Sequence, residues 1–231
     1  SIRPLAAISA KGLGRDFVSY KKQEGLVNSL KGFFNRQSFT KVALAPLDLQ
    51  IYEGQLVGLV GSNGAGKTTF LKMLSGLIYP SRGELNVLGY NPSERKPDFL
   101  KQISILLGQK NQLWWDLPAV DSFSLLTRIY NLDPVQTKAW YMELAELLDC
   151  KHVLEVQLRR LSLGERMKME IIGALLHKPR LILLDEPTIG LDVVAQATIR
   201  EFLNEYRTRN KTTILLTSHY MDDIARLADR L

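Results

Sequence analysis

Leu56-Val57-Gly58-Leu59-Val60-Gly61-Ser62-Asn63-Gly64-Ala65-Gly66-Lys67-Thr68-Thr69 decides the fold. Its first five residues are apolar without alternation, the mark of a strand covered on both faces. From Gly61 to Thr68 the chain matches GxxxxGK[ST] in full. Glycines let the backbone curl so that successive N–H groups converge on one anion. A helix over about 67–74 adds the positive end of its dipole. Lys67 has the reach for β- and γ-phosphates, and the Thr68 hydroxyl can ligate Mg²⁺. A chance glycine-rich turn is the plain alternative, and a strand directly before with a helix directly after weighs against it.

Further along the chain, Ile103-Ser104-Ile105-Leu106-Leu107, Leu181-Ile182-Leu183-Leu184 and Thr212-Thr213-Ile214-Leu215-Leu216 repeat the buried-strand pattern. Such runs predict a parallel sheet with helices on both faces, hence an α/β fold. Leu47-Asp48-Leu49-Gln50-Ile51-Tyr52 and Glu84-Leu85-Asn86-Val87-Leu88 alternate instead, predicting half-exposed antiparallel strands at a margin. Between about 117 and 177 the pattern is helical, with a turn at Asp133-Pro134 and a stop at Lys178-Pro179. The strand at 181–184 runs into Asp185-Glu186-Pro187. Two carboxylates after a strand are often a solvated turn. In an open parallel sheet, however, ligands gather at the carboxyl ends of strands. Beside a phosphate loop, Asp185 is expected to face Mg²⁺ and Glu186 to orient or deprotonate water attacking a γ-phosphate.

Composition narrows the class. The 231 residues are 45% hydrophobic and 23% charged, which fits an ordinary globular protein with one sizeable core. The single cysteine, Cys150, forbids a disulfide within the chain and fits a reducing compartment. No stretch approaches the roughly 18 apolar residues of a membrane span, and Ser1-Ile2-Arg3-Pro4 lacks a signal peptide's apolar core. The net charge is +6, and residues 1–50 carry eight basic against three acidic residues. That local excess suits phosphate, an anionic membrane or a partner protein without choosing among them.

Leu161-Ser162-Leu163-Gly164-Glu165-Arg166, just before the acidic strand, looks like the LSGGQ signature. With the phosphate loop and the acidic strand end, it makes the chain resemble, over essentially its whole length, the nucleotide-binding domain of ATP-binding cassette (ABC) proteins. Leu163 stands where glycine is usual and Glu165 where glutamine is usual. Ser162 also suits the N-cap of a helix over 164–176, which is compatible with an outward-facing anion site. The resemblance implies a P-loop NTPase (RecA-like) core of mixed sheet, an antiparallel β margin and an inserted helical subdomain. The expected core is about 1–109 and 166–231, the helical subdomain about 110–165, and a basic insertion 18–41. It further implies that Gln109 contacts Mg²⁺ and water and hinges the helical part, that Asp192 lies in the D-loop, and that His219 senses the γ-phosphate. Phe17 sits where an aromatic stacks on adenine, with Tyr20 as the alternative. ATP and Mg²⁺ are the implied ligands, catalysis falls to Glu186, His219 and Gln109, and the Mg²⁺ contacts to Thr68, Gln109 and Asp185. The family continues beyond the equivalent of Leu231 with one or more strands, so a truncated C-terminal end is expected.

The resemblance also implies head-to-tail pairing of two cassettes, each ATP lying between the phosphate loop of one and Ser162, Leu163, Gly164 and Glu165 of the other. A separate polytopic subunit would anchor the pair at the cytoplasmic face of the membrane. Trp114 and Trp115, beside the expected hinge, are candidates for the groove that receives that subunit; ordinary packing is the alternative. In the insertion, Leu26, Val27, Leu30, Phe33 and Phe34 fall on one helical face, suiting headgroups, the transmembrane subunit or the sheet. Gly108-Gln109-Lys110-Asn111-Gln112-Leu113-Trp114-Trp115-Asp116-Leu117-Pro118, together with the insertion, looks like cassettes of ABC-2-type exporters. Two alternatives stand beside transport. A soluble ABC ATPase acting on nucleic acid or the ribosome would use the basic N-terminal region. A P-loop kinase conflicts with the signature and with His219.

Overall fold

The computed structural model describes residues 5–20, 38–60, 64–108 and 110–218. Among them, β3 (Leu56–Val60), β5 (Ile103–Leu107), β6 (Leu181–Asp185) and β7 (Thr213–Ser218) form a parallel sheet in the order β3-β7-β6-β5. Their non-alternating sequences follow from burial on both faces. Leu181 and Leu183 point to one side, with Val57 and Leu215; Ile182 and Leu184 point to the other, with Leu56 and Ile214. On the first side lies α1 (Gly64–Leu74), whose Phe70, Leu71, Met73 and Leu74 are all buried. A helix apolar around this much of its circumference needs a second cover. It is supplied by β1 (Ala6–Tyr20), β2 (Ser38–Tyr52) and β4 (Arg82–Val87), an antiparallel sheet ordered β2-β1-β4 that contributes Ile8, Leu13, Ile51 and Val87.

The second side is packed by α5 (Leu163–Leu175) and α6 (Val193–Asn210), with α3 (Ala119–Ile129) and α4 (Pro134–Leu147) joined to the same core. Asp133 caps α4 and Pro134 opens it, so the expected turn is a helix start. A four-residue α2 (Pro97–Leu100) precedes β5.

The central margin strand, β1, has no clean alternation: Ala7, Ile8 and Ala10 are buried together, and register shifts fall around Gly12 and Gly14. The insertion at 18–41 starts and ends inside a ladder, since Val18 pairs with Thr40, Ser19 with Phe39 and Tyr20 with Ser38. Its apolar set, Leu26, Val27, Leu30, Phe33 and Phe34, lies outside the described residues.

Candidate functional site

Register brings the carboxyl ends of the parallel strands into one row. Val60 pairs with Ser218, Thr217 with Asp185, and Asp185 with Leu107. The phosphate-loop helix α1 starts at the end of β3, so its Lys67 and Thr68 meet this row. Thr68 Oγ1 donates to Asp185 Oδ2 at 2.8 Å, and Thr217 Oγ1 donates to Asp185 Oδ1 at 2.6 Å. Both carboxylate oxygens are therefore fixed by hydroxyls from two different elements.

Glu186 turns sharply out of β6 with φ +51°, a conformation uncommon outside glycine. Its N–H donates to Thr217 Oγ1 at 3.0 Å and to Thr217 O at 3.2 Å. Lys67 Nζ lies 3.8 Å from Glu186 Oε1 and donates to Ser218 O at 3.4 Å. The structure thus brings Lys67, Thr68, Asp185 and Glu186 together, joined by Thr217 and Ser218, which sequence reasoning missed.

Divalent magnesium is a hard ion that takes oxygen ligands, commonly one or two carboxylates plus substrate phosphates. The Thr68 hydroxyl beside the Asp185 carboxylate fits that donor set. Among the described residues no cluster of three or more His, Cys, Asp or Glu could hold a metal unaided. A shared site completed by substrate is the arrangement that the residues allow.

Other expected residues fall elsewhere. Gly64, Ala65, Gly66 and Thr69 lie in α1. Phe17 and Tyr20 lie in β1, their backbones paired with Lys41 and Ser38. Gly61, Ser62, Asn63, Gln109 and His219 are outside the described residues.

The signature-like segment opens α5. Ser162 Oγ accepts the Glu165 N–H at 3.2 Å, and Glu165 Oε1 accepts the Ser162 N–H at 2.9 Å, a complete capping box. A Cβ on Gly164 would sit 2.9 Å from Ala195 Cβ. The same Ala195 gives its N–H to Asp192 Oδ1 at 2.7 Å, the N-cap of α6. Signature-like segment and Asp192 therefore meet at one residue.

Trp114 and Trp115 are 41% and 40% exposed. The Arg166 guanidinium lies over the Trp115 ring at 4.5 Å. A cavity of about 500 Å³ is lined by Leu77, Lys101, Ile105, Gln112, Leu113 and Tyr130, among others, and so reaches the residue before Trp114.

A phosphate-loop strand and helix, separated by one strand from a strand whose terminal aspartate binds the loop's threonine, define a P-loop nucleoside triphosphatase. Residues 44–189 match the family described as ABC transporter, and the chain belongs to it: this is an ATP-binding cassette with ATPase activity. The chain is 32% identical over 204 residues to the ABC transporter ATP-binding protein NatA of Bacillus subtilis, covering 88% of this chain and 82% of that one. It is 35% identical over 190 residues to the Nod factor export ATP-binding protein I of Cupriavidus metallidurans, covering 82% and 62%. With the bacitracin transport ATP-binding protein BcrA of Bacillus licheniformis the figures are 30% over 185 residues, covering 80% and 59%. The chain therefore spans about three fifths of the last two relatives.

Among solved structures, cbiO1 of Clostridium perfringens, part of the transporter complex cbiONQ, superposes with TM-score 0.76 at 21% identity, covering 97% of this chain and 82% of that one. A dimeric ATP-binding cassette in a post-hydrolysis state, bound to ADP and Pi, gives 0.75 at 21%, covering 95% and 90%. At such identity these likenesses establish the fold.

Proposed function

We propose that this chain is the ATP-hydrolysing subunit of an exporter, pairing head to tail with a second cassette around two ATP and driving a separate transmembrane subunit. The observation that carries the chemistry is the double anchoring of Asp185 by Thr68 and Thr217 beside Lys67 and Glu186. Relatives named for Nod factor export, bacitracin transport and daunorubicin resistance support the direction.

The N–H groups of Gly61, Ser62, Asn63, Gly64, Ala65, Gly66, Thr68 and Thr69 cradle the phosphates, and Phe17 stacks on adenine. Thr68, Asp185 and Gln109 would hold Mg²⁺, which would supply positive charge against the negative charge of the phosphates. Lys67 pairs with Glu186 in the structure described. A γ-phosphate draws Lys67 to itself, and the Glu186 carboxylate is then available to a water. Glu186 takes a proton from that water as the oxygen attacks phosphorus and the bond to the bridging oxygen breaks, leaving ADP. His219 contacts the γ-phosphate. Ser162 and Gly164 of the second cassette close over it, with α5's N-terminal dipole aimed at the charge. Asp192 lies at the pair boundary.

The core about 1–109 and 166–231 carries the nucleotide, and the helical part about 110–165 moves with the partner. The cavity lined by Leu77, Gln112 and Tyr130 takes the transmembrane subunit, and Trp114 and Trp115 are further candidate contacts. Attachment to the cytoplasmic face of the membrane runs through that subunit.

The Glu186→Gln variant tests the composite site, because it binds ATP without turning it over. Light scattering should show the 26.1 kDa chain doubling in mass when ATP and Mg²⁺ are added. A mass indifferent to ATP overturns the paired site.

A further inference from the structure

Glu170 is 5% exposed, lies in the middle of α5, and no step above uses it. A carboxylate in such a place is costly unless it is hydrogen-bonded. Its partners are two consecutive backbone donors of the loop after β5. The Gln112 N–H lies 3.2 and 3.1 Å from Oε1 and Oε2, and the Leu113 N–H lies 3.2 Å from Oε1. Two further contacts tie the same loop to the same helix. A Cβ on Gly173 would sit 2.9 Å from Leu113 Cδ2, so the bare glycine is the seat of the Leu113 side chain. One turn before Glu170, Arg166 covers the Trp115 ring.

The other end of this loop is tied to the nucleotide side. Gly108, at φ +54°, gives its N–H to Asp185 O at 3.1 Å. Gln109 lies in sequence between an anchor on Asp185 and an anchor on Glu170. The exposed Gln112 amide does reach Ile105 O at 2.7 Å, but the main chain at 112 and 113 is held from α5. Glu170 also lines both the cavity of about 500 Å³ and a small space beside Gly108, Lys110 and Leu163. It therefore faces the groove from the helix whose N-cap is Ser162.

We propose that Glu170 is a positioning residue that clamps the loop following Gln109 to the signature helix, so that loop and helix move as one body and Gln109 is placed by where α5 stands. The inference rests on the paired-cassette reading given above. Occupancy of the groove shifts residues 112 and 113, and the same displacement carries Ser162. Conversely, closure of Ser162 on ATP draws Gln109 into line. Among the described residues the hydrogen bonds of Glu170 go to Gln112 and Leu113 and to no nucleotide-binding residue, so the clamp acts on turnover and not on ATP affinity.

The test uses Glu170→Gln in the full chain, which keeps shape and one acceptor oxygen but removes the charge and sets an NH₂ donor against the Gln112 N–H. Binding of a fluorescent ATP analogue should stay within about twofold, while kcat falls roughly tenfold or more, the scale of losing a buried charged hydrogen bond. Amide exchange should speed at Gln112 and Leu113 and stay unchanged across 64–74. Unchanged protection at these two amides, or unchanged kcat once protection is lost, overturns the clamp. If Glu170→Gln lowers the melting temperature enough to blur the result, Gly173→Ala displaces Leu113 without touching Glu170. It must then give the same fall in kcat at unchanged ATP affinity, and a normal kcat overturns the proposal. Failure of Glu186→Gln to double in mass would sink the paired site while leaving this split and the exchange pattern to judge the clamp alone.

Discussion

Thr217 shows how one hydroxyl can organise a site. It is fully buried, donates to the Asp185 oxygen that Thr68 does not use, and accepts the N–H of Glu186 as the chain turns into its left-handed conformation. Thr217→Val keeps the volume and removes both bonds, leaving a buried carboxylate oxygen short of a donor at a cost of about 1–3 kcal/mol. We expect kcat to drop roughly tenfold and the Mg²⁺ concentration for half-maximal rate to rise, because Asp185 is free to rotate away from Thr68. Thr217→Ser should restore both. A magnesium titration of ATPase rate checks this; a valine variant with normal magnesium dependence would make the hydroxyl a packing detail. Sequence alone ends the strand at Leu216, because Thr217 breaks an apolar run. The residue that looks like the strand's end is the bond between two motifs, and no local pattern announces a cross-strand partner 32 residues away.

At the scale of elements, α5 carries two duties at one end. Its capping box satisfies N–H groups that would otherwise be orphaned, and the same Ser162 is the proposed contact to a second cassette's ATP. Glu165→Gln preserves the box and should unfold within about 0.5 kcal/mol of the parent, whereas Ser162→Ala should lose about 1 kcal/mol. Urea melts separate the two, and equal losses would deny the box a stabilising part. Elements buried on both faces were the legible ones: β3, β5, β6 and β7 fall where their unbroken apolar runs place them, and α1 follows the phosphate loop. β1 was not legible. Its small Ala6, Ala7 and Ala10 carry little hydrophobic signal, and the shifts around Gly12 and Gly14 destroy the period of two. The loop clamp was hidden for a different reason: a glutamate within a helix reads as a solvent-facing charge until its partners are known.

Across the whole molecule, the sheet and the helical part are stapled just beyond α5. His177 Nε2 lies 3.0 Å from Ile103 O and 3.2 Å from Ser104 Oγ in β5, and its ring stacks on Tyr130, after α3, at 4.4 Å. Lys178 lies over the Trp140 ring of α4 at 4.7 Å, and Trp140 Nε1 donates to Leu175 O at 2.9 Å. His177 Nε2 carries the proton given to Ile103, leaving Nδ1 buried without a hydrogen-bond partner among the described residues. Protonating Nδ1 would put a cation there, and burial lowers the His177 pKa below 6.5. As pH falls past the unfolded value, the unfolded chain takes the proton and the folded one does not. Stability is therefore fully present above that value and declines toward the lower folded pKa, by up to about 1.4 kcal/mol per pH unit. Glu170 works in the opposite sense: burial raises its pKa, so acidification relieves a buried charge in the fold before the unfolded carboxyl binds its proton. His177→Gln keeps a donor for Ile103 and titrates nothing. Its melting temperature should fall less than the parent's between pH 7 and pH 5.5, and the difference should persist in a Glu170→Gln background. Parallel losses in parent and variant would move the acid sensitivity away from this staple.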